Sequence, residues 1–236
     1  MFALVSPDKI ELPAGSLVRL PATWLDYQTL SRQRGDNSQP KIKYHNGEVL
    51  LMSPLPKHGR DAHLIANIIT TLLDYLGREY EAFTPVTMAL PETSGIEPDY
   101  SFYIDHWPAI AGKARIDWVN DPPPDLVLEI DVTSYSNVDD YLPYQVPEIW
   151  LYRQKTLYIY WLENQEYIPR HQSQYFPNFN LQNLVSFCGE IADNRNSSMA
   201  IRQLKQHLED FYSISTNFSR LQRLSWQPSK SRTKLT

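Results

Sequence analysis

One cysteine, Cys188, stands in 236 residues. A single thiol forms no intramolecular disulfide and no cysteine zinc cluster, so a reducing compartment, the cytoplasm, is expected. With no base at recognisable spacing, Cys188 reads as a buried apolar residue rather than a nucleophile. Glycine is scarce, 8 residues against 18 prolines. Neither GxxxxGK[ST] nor GxGxxG occurs, which removes phosphate-loop and dinucleotide chemistry. HExxH and GxSxG are missing too, so zinc-peptidase and serine-hydrolase readings have no support. No run of 18 apolar residues exists, so no membrane span is expected. The first eight residues lack the basic and long apolar parts of a signal peptide.

What is present suits a folded chain. Hydrophobic residues make up 42%, aromatics 12% and charged residues only 21%, which argues against disorder. The net charge of −5 hides an asymmetry. Residues 217–236 carry five basic groups and no acid, leaving 17 basic against 27 acidic groups in the rest. An acidic body is a poor generic nucleic-acid binder. The expected organisation is one domain over 1–213 and a solvated basic tail over 214–236.

Periodicity sketches the elements. A helix is expected over 21–34. Asn46-Gly47 between Lys41-Ile42-Lys43-Tyr44-His45 and Glu48-Val49-Leu50-Leu51-Met52 signals a two-residue β-hairpin, because both turn residues must take positive φ. Leu64, Ile65, Ile68, Ile69, Leu72, Leu73 and Leu76 form one apolar stripe, so a helix over 59–76 should pack on a sheet and end at Gly77. Strands are expected over 80–90, 99–104 and 126–132, then a meander over 148–152, 157–162 and 167–171, then a helix over 198–211. That order predicts an α/β or α+β domain around a mixed sheet. Tyr141, Tyr144 and Trp150 read as core or interface residues.

Two places carry possible chemistry. Glu97-Pro98-Asp99 begins one strand. Pro122-Pro123-Pro124-Asp125 leads into the apolar strand that holds Glu129 and Asp131. Strand side chains alternate, so Glu129 and Asp131 share a face ~7 Å apart. Two acids on an apolar strand need compensation, and a hard divalent cation such as Mg²⁺ supplies it through carboxylate oxygens. Asp99, arriving from a neighbouring strand, would make three carboxylates. Acids on the solvent side of a half-exposed strand would need no metal, and spacing alone leaves both readings open.

The chain resembles the PD-(D/E)XK nuclease superfamily, and more closely the Uma-type restriction-endonuclease family abundant in cyanobacteria. The resemblance rests on Gly47-Glu48 with Met52-Ser53-Pro54, on His58, and on Glu97-Pro98-Asp99 with Phe102-Tyr103-Ile104. It continues in Pro123-Pro124-Asp125-Leu126-Val127 with Glu129-Ile130-Asp131, and in Val146-Pro147-Glu148-Ile149-Trp150. It spans roughly residues 20–190. It implies a restriction-endonuclease-like fold, a Mg²⁺-dependent phosphodiester hydrolase acting on DNA with Mn²⁺ as a substitute ion, and a homodimer. Asp99 and Glu129 would be metal ligands. Asp131 stands where the superfamily usually has Lys, so it would be a further ligand or a general base. A relocated Lys would fall near Asn137, yet no Lys lies between Lys113 and Lys155. Glu48, His58 and Asp125 are accessory candidates. A catalytically inactive nuclease-fold binding or assembly module is the alternative. A two-carboxylate glycosidase is a third reading, set apart by needing no metal.

Overall fold

A computed structural model describes residues 12–35, 39–131 and 137–210. The outer ends of the expected strand over 126–132 and helix over 198–211, and the basic tail over 214–236, lie outside these residues.

The first layer grows from the hairpin. β2 (Lys41–His45) and β3 (Glu48–Met52) pair antiparallel, with Asn46 and Gly47 at φ 49° and 77°. Those paired positive angles are what the Asn-Gly step supplies cheaply. β1 (Leu17–Pro21), which the sequence pattern did not reveal, adds to the outer edge of β3. Helix α1 (Trp24–Arg34) begins at a capping box. Thr23 Oγ1 accepts the Asp26 N–H at 3.2 Å, and the Asp26 carboxylate accepts the Thr23 N–H at 2.8 Å. Tyr27 and Leu30 of this helix bury against Ile42, Tyr44, Val49 and Leu51 of the hairpin.

Helix α2 (Pro56–Tyr75) starts three residues before the expected point, with proline in its first turn. Gly77, at φ 64°, closes it as Arg78 N donates to Leu73 O at 2.9 Å. The expected strand over 80–90 divides. β4 (Glu81–Phe83) joins one sheet and β5 (Met88–Leu90) the other, with Pro85, which has no N–H to give a ladder, between them. β6 (Ser94–Ile96) follows β5, and β7 (Tyr100–Tyr103) precedes the single-turn helix α3 (Trp107–Ile110). β8 (Leu126–Asp131) precedes a 3₁₀ helix (Val138–Tyr144), and β9 (Glu148–Arg153), β10 (Thr156–Glu163) and β11 (Glu166–Arg170) form the expected meander.

The architecture is α+β. A five-stranded antiparallel sheet has order β1-β3-β2-β6-β5. A six-stranded mixed sheet has order β11-β10-β9-β8-β7-β4, with β8 and β9 parallel. On one face of the mixed sheet, Leu126, Leu128 and Ile130 of β8 meet the α2 stripe. Two further helices complete this core, α4 (Leu181–Asn194) and α5 over 197–210. The sequence reading foresaw only the second of these. Cys188 lies buried in α4, and burial pushes its thiol up to about 12, which fits a packing role. On the opposite face, Val127 and Ile149 pack with Met88, Ile96, Tyr141 and Tyr144. Glu129 and Asp131 follow Val127 in strand parity, so they point toward this second side, where the two sheets meet. No described helix is long and apolar enough to cross a membrane.

Candidate active site

The alternation of β2 organises the site. Ile42 and Tyr44 face α1, so Lys41, Lys43 and His45 share the other face. That face turns toward the acids. The Lys41 ammonium bonds the Asp99 carboxylate, and Lys43 bonds Asp140 in the 3₁₀ helix. His45 Nε2 lies 3.6 Å from Asp140 Oδ1.

Asp99 is only 3% exposed and is held from three directions. Its Oδ1 takes Lys41 and lies 2.7 Å from His58 Nε2 in the first turn of α2. Its Oδ2 accepts the Ile130 N–H at 2.8 Å. Tyr100 pairs with Leu128, so the next step of the antiparallel ladder sets Asp99 beside Glu129. Glu129 lies deep in the protein, although part of its surface still meets solvent. The Tyr141 hydroxyl donates to Glu129 Oε1.

The two carboxyls are driven apart in acidity. For Asp99, burial pushes the pKa up, but Lys41 and His58 outweigh it and hold the group below the usual carboxylate range. For Glu129, burial and the neighbouring Asp99 charge push the pKa up to about 7, against weaker downward pulls from Lys41, Lys43 and Tyr141. An ionised acid beside one that resists ionisation marks a place that accepts added positive charge. Among the described residues, no group of three or more His, Cys, Asp or Glu side chains could hold a metal ion together. Mg²⁺, however, is commonly held by one or two carboxylates with water and phosphate completing its shell. Two carboxylates stand here, Asp99 bonded to Lys41, His58 and the Ile130 N–H, and Glu129 bonded to Tyr141.

The remaining expected site residues each have partners of their own. Asp131 shares Glu129's strand parity but lies in an ion pair with Arg153, its register partner on β9, whose Nε is 2.7 Å from Oδ2. Asp125 sits at the far end of β8 and accepts the N–H groups of Ile104, Asp105 and His106 at 2.6, 2.9 and 3.0 Å, a turn-holding role. Glu48 is half-exposed, 3.4 Å from Arg19. His58 is brought directly onto Asp99. Glu97, next to the Pro-Asp pair, binds Arg34 through both oxygens at 2.6 and 2.8 Å and fastens α1 to the first sheet. Asn137, near the slot for a relocated lysine, caps the 3₁₀ helix through Asp139 N–H at 3.2 Å.

Sequence reasoning missed Lys41, Lys43 and Tyr141. The signal for the lysines was the strict alternation Lys-Ile-Lys-Tyr-His, which puts three basic groups on one strand face. Tyr141 carried no signal beyond its aromatic character.

Lys41, His58 and Asp99 line an open cleft of about 510 Å³ between the start of β2, the β3–α2 connection and the start of β7. Another cleft, of about 290 Å³ between α2 and α4, is lined by the surface ion pairs of Arg60 and Lys155 with Asp193 and brings in none of the candidate acids.

No curated protein matches the chain. A crystal structure described as "a putative nuclease belonging to DUF820" from Anabaena variabilis is similar at 17% identity, covering 69% of this chain and 95% of that one, with a TM-score of 0.49. Residues 24–188 match the family Uma2, described as "Putative restriction endonuclease", so the chain belongs to the Uma2 family.

Proposed function

We propose that this chain is a Mg²⁺-dependent DNA endonuclease that hydrolyses phosphodiester bonds. The observation that carries the reading is that Asp99, one residue before β7, and Glu129 on β8 act on each other's charge, with the Lys41 ammonium bonded to Asp99. Asp99 and Glu129 would hold the ion, with Mn²⁺ as a substitute. Bound there, Mg²⁺ supplies Lewis-acid activation of water and neutralises charge on the phosphoryl group.

The chain's own groups divide the remaining work. Lys41 keeps Asp99 ionised and offers N–H donors toward an anionic phosphate, the part the superfamily's usual lysine plays. His58 and the Ile130 N–H fix the Asp99 carboxylate in one orientation. Tyr141 does the same for Glu129. The family description supports DNA as substrate; the expected homodimer is a further part of the reading, which light scattering tests. The acidic body makes binding dependent on local charge at the site rather than on a broad basic surface.

The experiment is incubation of the purified protein with supercoiled plasmid in Mg²⁺, Mn²⁺ or EDTA. Nicking or linearisation in either metal and none in EDTA is expected. A second reading, a nuclease-fold binding or assembly module without turnover, is favoured by one observation. Asp131 is committed to Arg153, which leaves two acids rather than three. Metal-induced stabilisation with no cleavage in any metal would select it.

A further inference from the structure

The cleft beside Asp99 is larger and more apolar than phosphate chemistry alone requires. Its volume of about 510 Å³ lies in the ~300–1,000 Å³ range of small-molecule pockets. Lys41, His58 and Asp99 provide its polar wall, while Pro54, Leu55 and Tyr100 lie among its apolar and aromatic lining. The Tyr100 ring is itself stacked parallel to Phe102, with centroids 6.2 Å apart and planes at 16°.

Two residues facing this cleft weaken the helix they belong to. Leu55 occupies the N-cap of α2, a position that favours Ser, Thr, Asp or Asn, and makes no capping bond. Its side chain is left 39% exposed. Gly59 sits inside the same helix, where glycine is less favourable than alanine. A Cβ there would meet nothing within 4 Å, so packing inside the chain does not demand glycine. Leu55 lies against Gly15, whereas Gly59 has no packing reason of its own, and a local choice of that kind concentrates where a protein meets its ligand. Here the two residues keep one wall of the cleft apolar and leave space at its edge.

We propose that this cleft receives one unstacked nucleobase with its sugar, the attached phosphate lying toward Lys41 and Asp99, so that the substrate is a single-stranded or locally unpaired nucleotide. The proposal rests on the nuclease reading and names its substrate class. A base inside a perfect duplex has both faces covered by its neighbours and cannot enter a concave site without leaving the stack. An aromatic and aliphatic lining accepts the face of any base, so it selects unpaired nucleotides without selecting sequence.

The test measures fluorescence anisotropy of the full chain with three labelled DNA probes, using Ca²⁺ in place of Mg²⁺ to separate binding from turnover. The probes are a 12-nucleotide single strand, its perfect duplex, and that duplex with one bulged nucleotide. The single strand and the bulged duplex should bind at least tenfold more tightly than the perfect duplex. Gly59→Leu should weaken both by tenfold or more and leave perfect-duplex binding unchanged, with a melting temperature equal to or above wild type. Leu55→Ser, which supplies a helix cap but gives up the Leu55 contact with Gly15, should stay folded while weakening single-strand binding. Equal affinity for the perfect duplex, or full single-strand binding in both folded variants, overturns the proposal. Metal-dependent cleavage of perfect duplex at an undiminished rate in Gly59→Leu overturns the pocket assignment and leaves the nuclease reading standing. Failure to bind or cleave any probe overturns both.

Discussion

Lys41 and Asp99, 58 positions apart, form a buried ion pair that joins the five-stranded sheet to the start of β7. The lysine side chain is 13% exposed and the aspartate 3%, so water screens the pair poorly. Removing one partner of such a pair leaves an uncompensated charge, a loss of about 3–5 kcal/mol. Lys41→Met should therefore lower stability by an amount of that order in urea denaturation. Cleavage should fall by about 100-fold or more, the scale set by losing one preorganised donor at a developing charge. Unchanged cleavage in a folded Lys41→Met protein would remove the lysine from the site.

Glu129 gives stability a pH dependence of definite sign. Its pKa is about 7 in the fold against 4.5 for an unperturbed glutamate. The native state thus binds the proton more tightly than the unfolded chain. Its favourable contribution is complete below pH 4.5 and is lost as the pH rises through about 7. Glu129→Gln escapes that loss. The variant should gain on wild type between pH 4.5 and 8 by on the order of 3 kcal/mol, with the two curves converging toward pH 4.5. Parallel curves across that range would contradict the assignment.

Removing the Tyr141 hydroxyl should act through the same acid. The hydroxyl donates to Glu129 and pulls its pKa down against burial. Tyr141→Phe should move the acid limb of the cleavage pH profile upward and leave a folded protein. An unmoved limb would show that Tyr141 does not tune Glu129.

Metal binding should require Glu129 ionised, because the proton and the cation compete for its oxygens. Mn²⁺ should raise the melting temperature of wild type more at pH 8 than at pH 6, and should do little for Glu129→Gln. A pH-independent response of equal size in both proteins would place the ion elsewhere.

Packing makes a prediction of its own at Gly95 in β6. A Cβ there would lie 2.2 Å from Tyr27 Cζ, inside any real contact, and Tyr27 is buried in α1. Gly95→Ala should destabilise by about 1–3 kcal/mol as α1 shifts off the first sheet. Thermal denaturation measures this directly, and an unchanged melting temperature would show that the ring moves aside freely.

The features legible in the sequence were those set by local period and turn chemistry. Asn46-Gly47 specified its hairpin, the 64–73 stripe specified α2, and strand parity placed Glu129 on the face opposite Leu128 and Ile130. What escaped depends on pairings between distant segments. The fate of Asp131 is fixed by the parallel register that sets it beside Arg153, and residue spacing does not contain that register. A positive partner close in sequence to the acids would fall near Asn137, whereas Lys41 arrives from a strand of the other sheet. The 80–90 segment read as one strand because its composition favours strand throughout, yet its two halves serve different sheets on either side of Pro85.

In the proposed reading, Asp99 and Glu129 together hold the divalent cation on which DNA cleavage depends. The most direct measurement is the initial rate of plasmid nicking in Mg²⁺ by wild type, Asp99→Asn and Glu129→Gln, each checked for native circular dichroism. Wild type should nick in a metal-dependent way, and both folded variants should lose at least 100-fold, the scale for removing a preorganised charge-stabilising group. Nicking by either folded variant at the wild-type rate would contradict it.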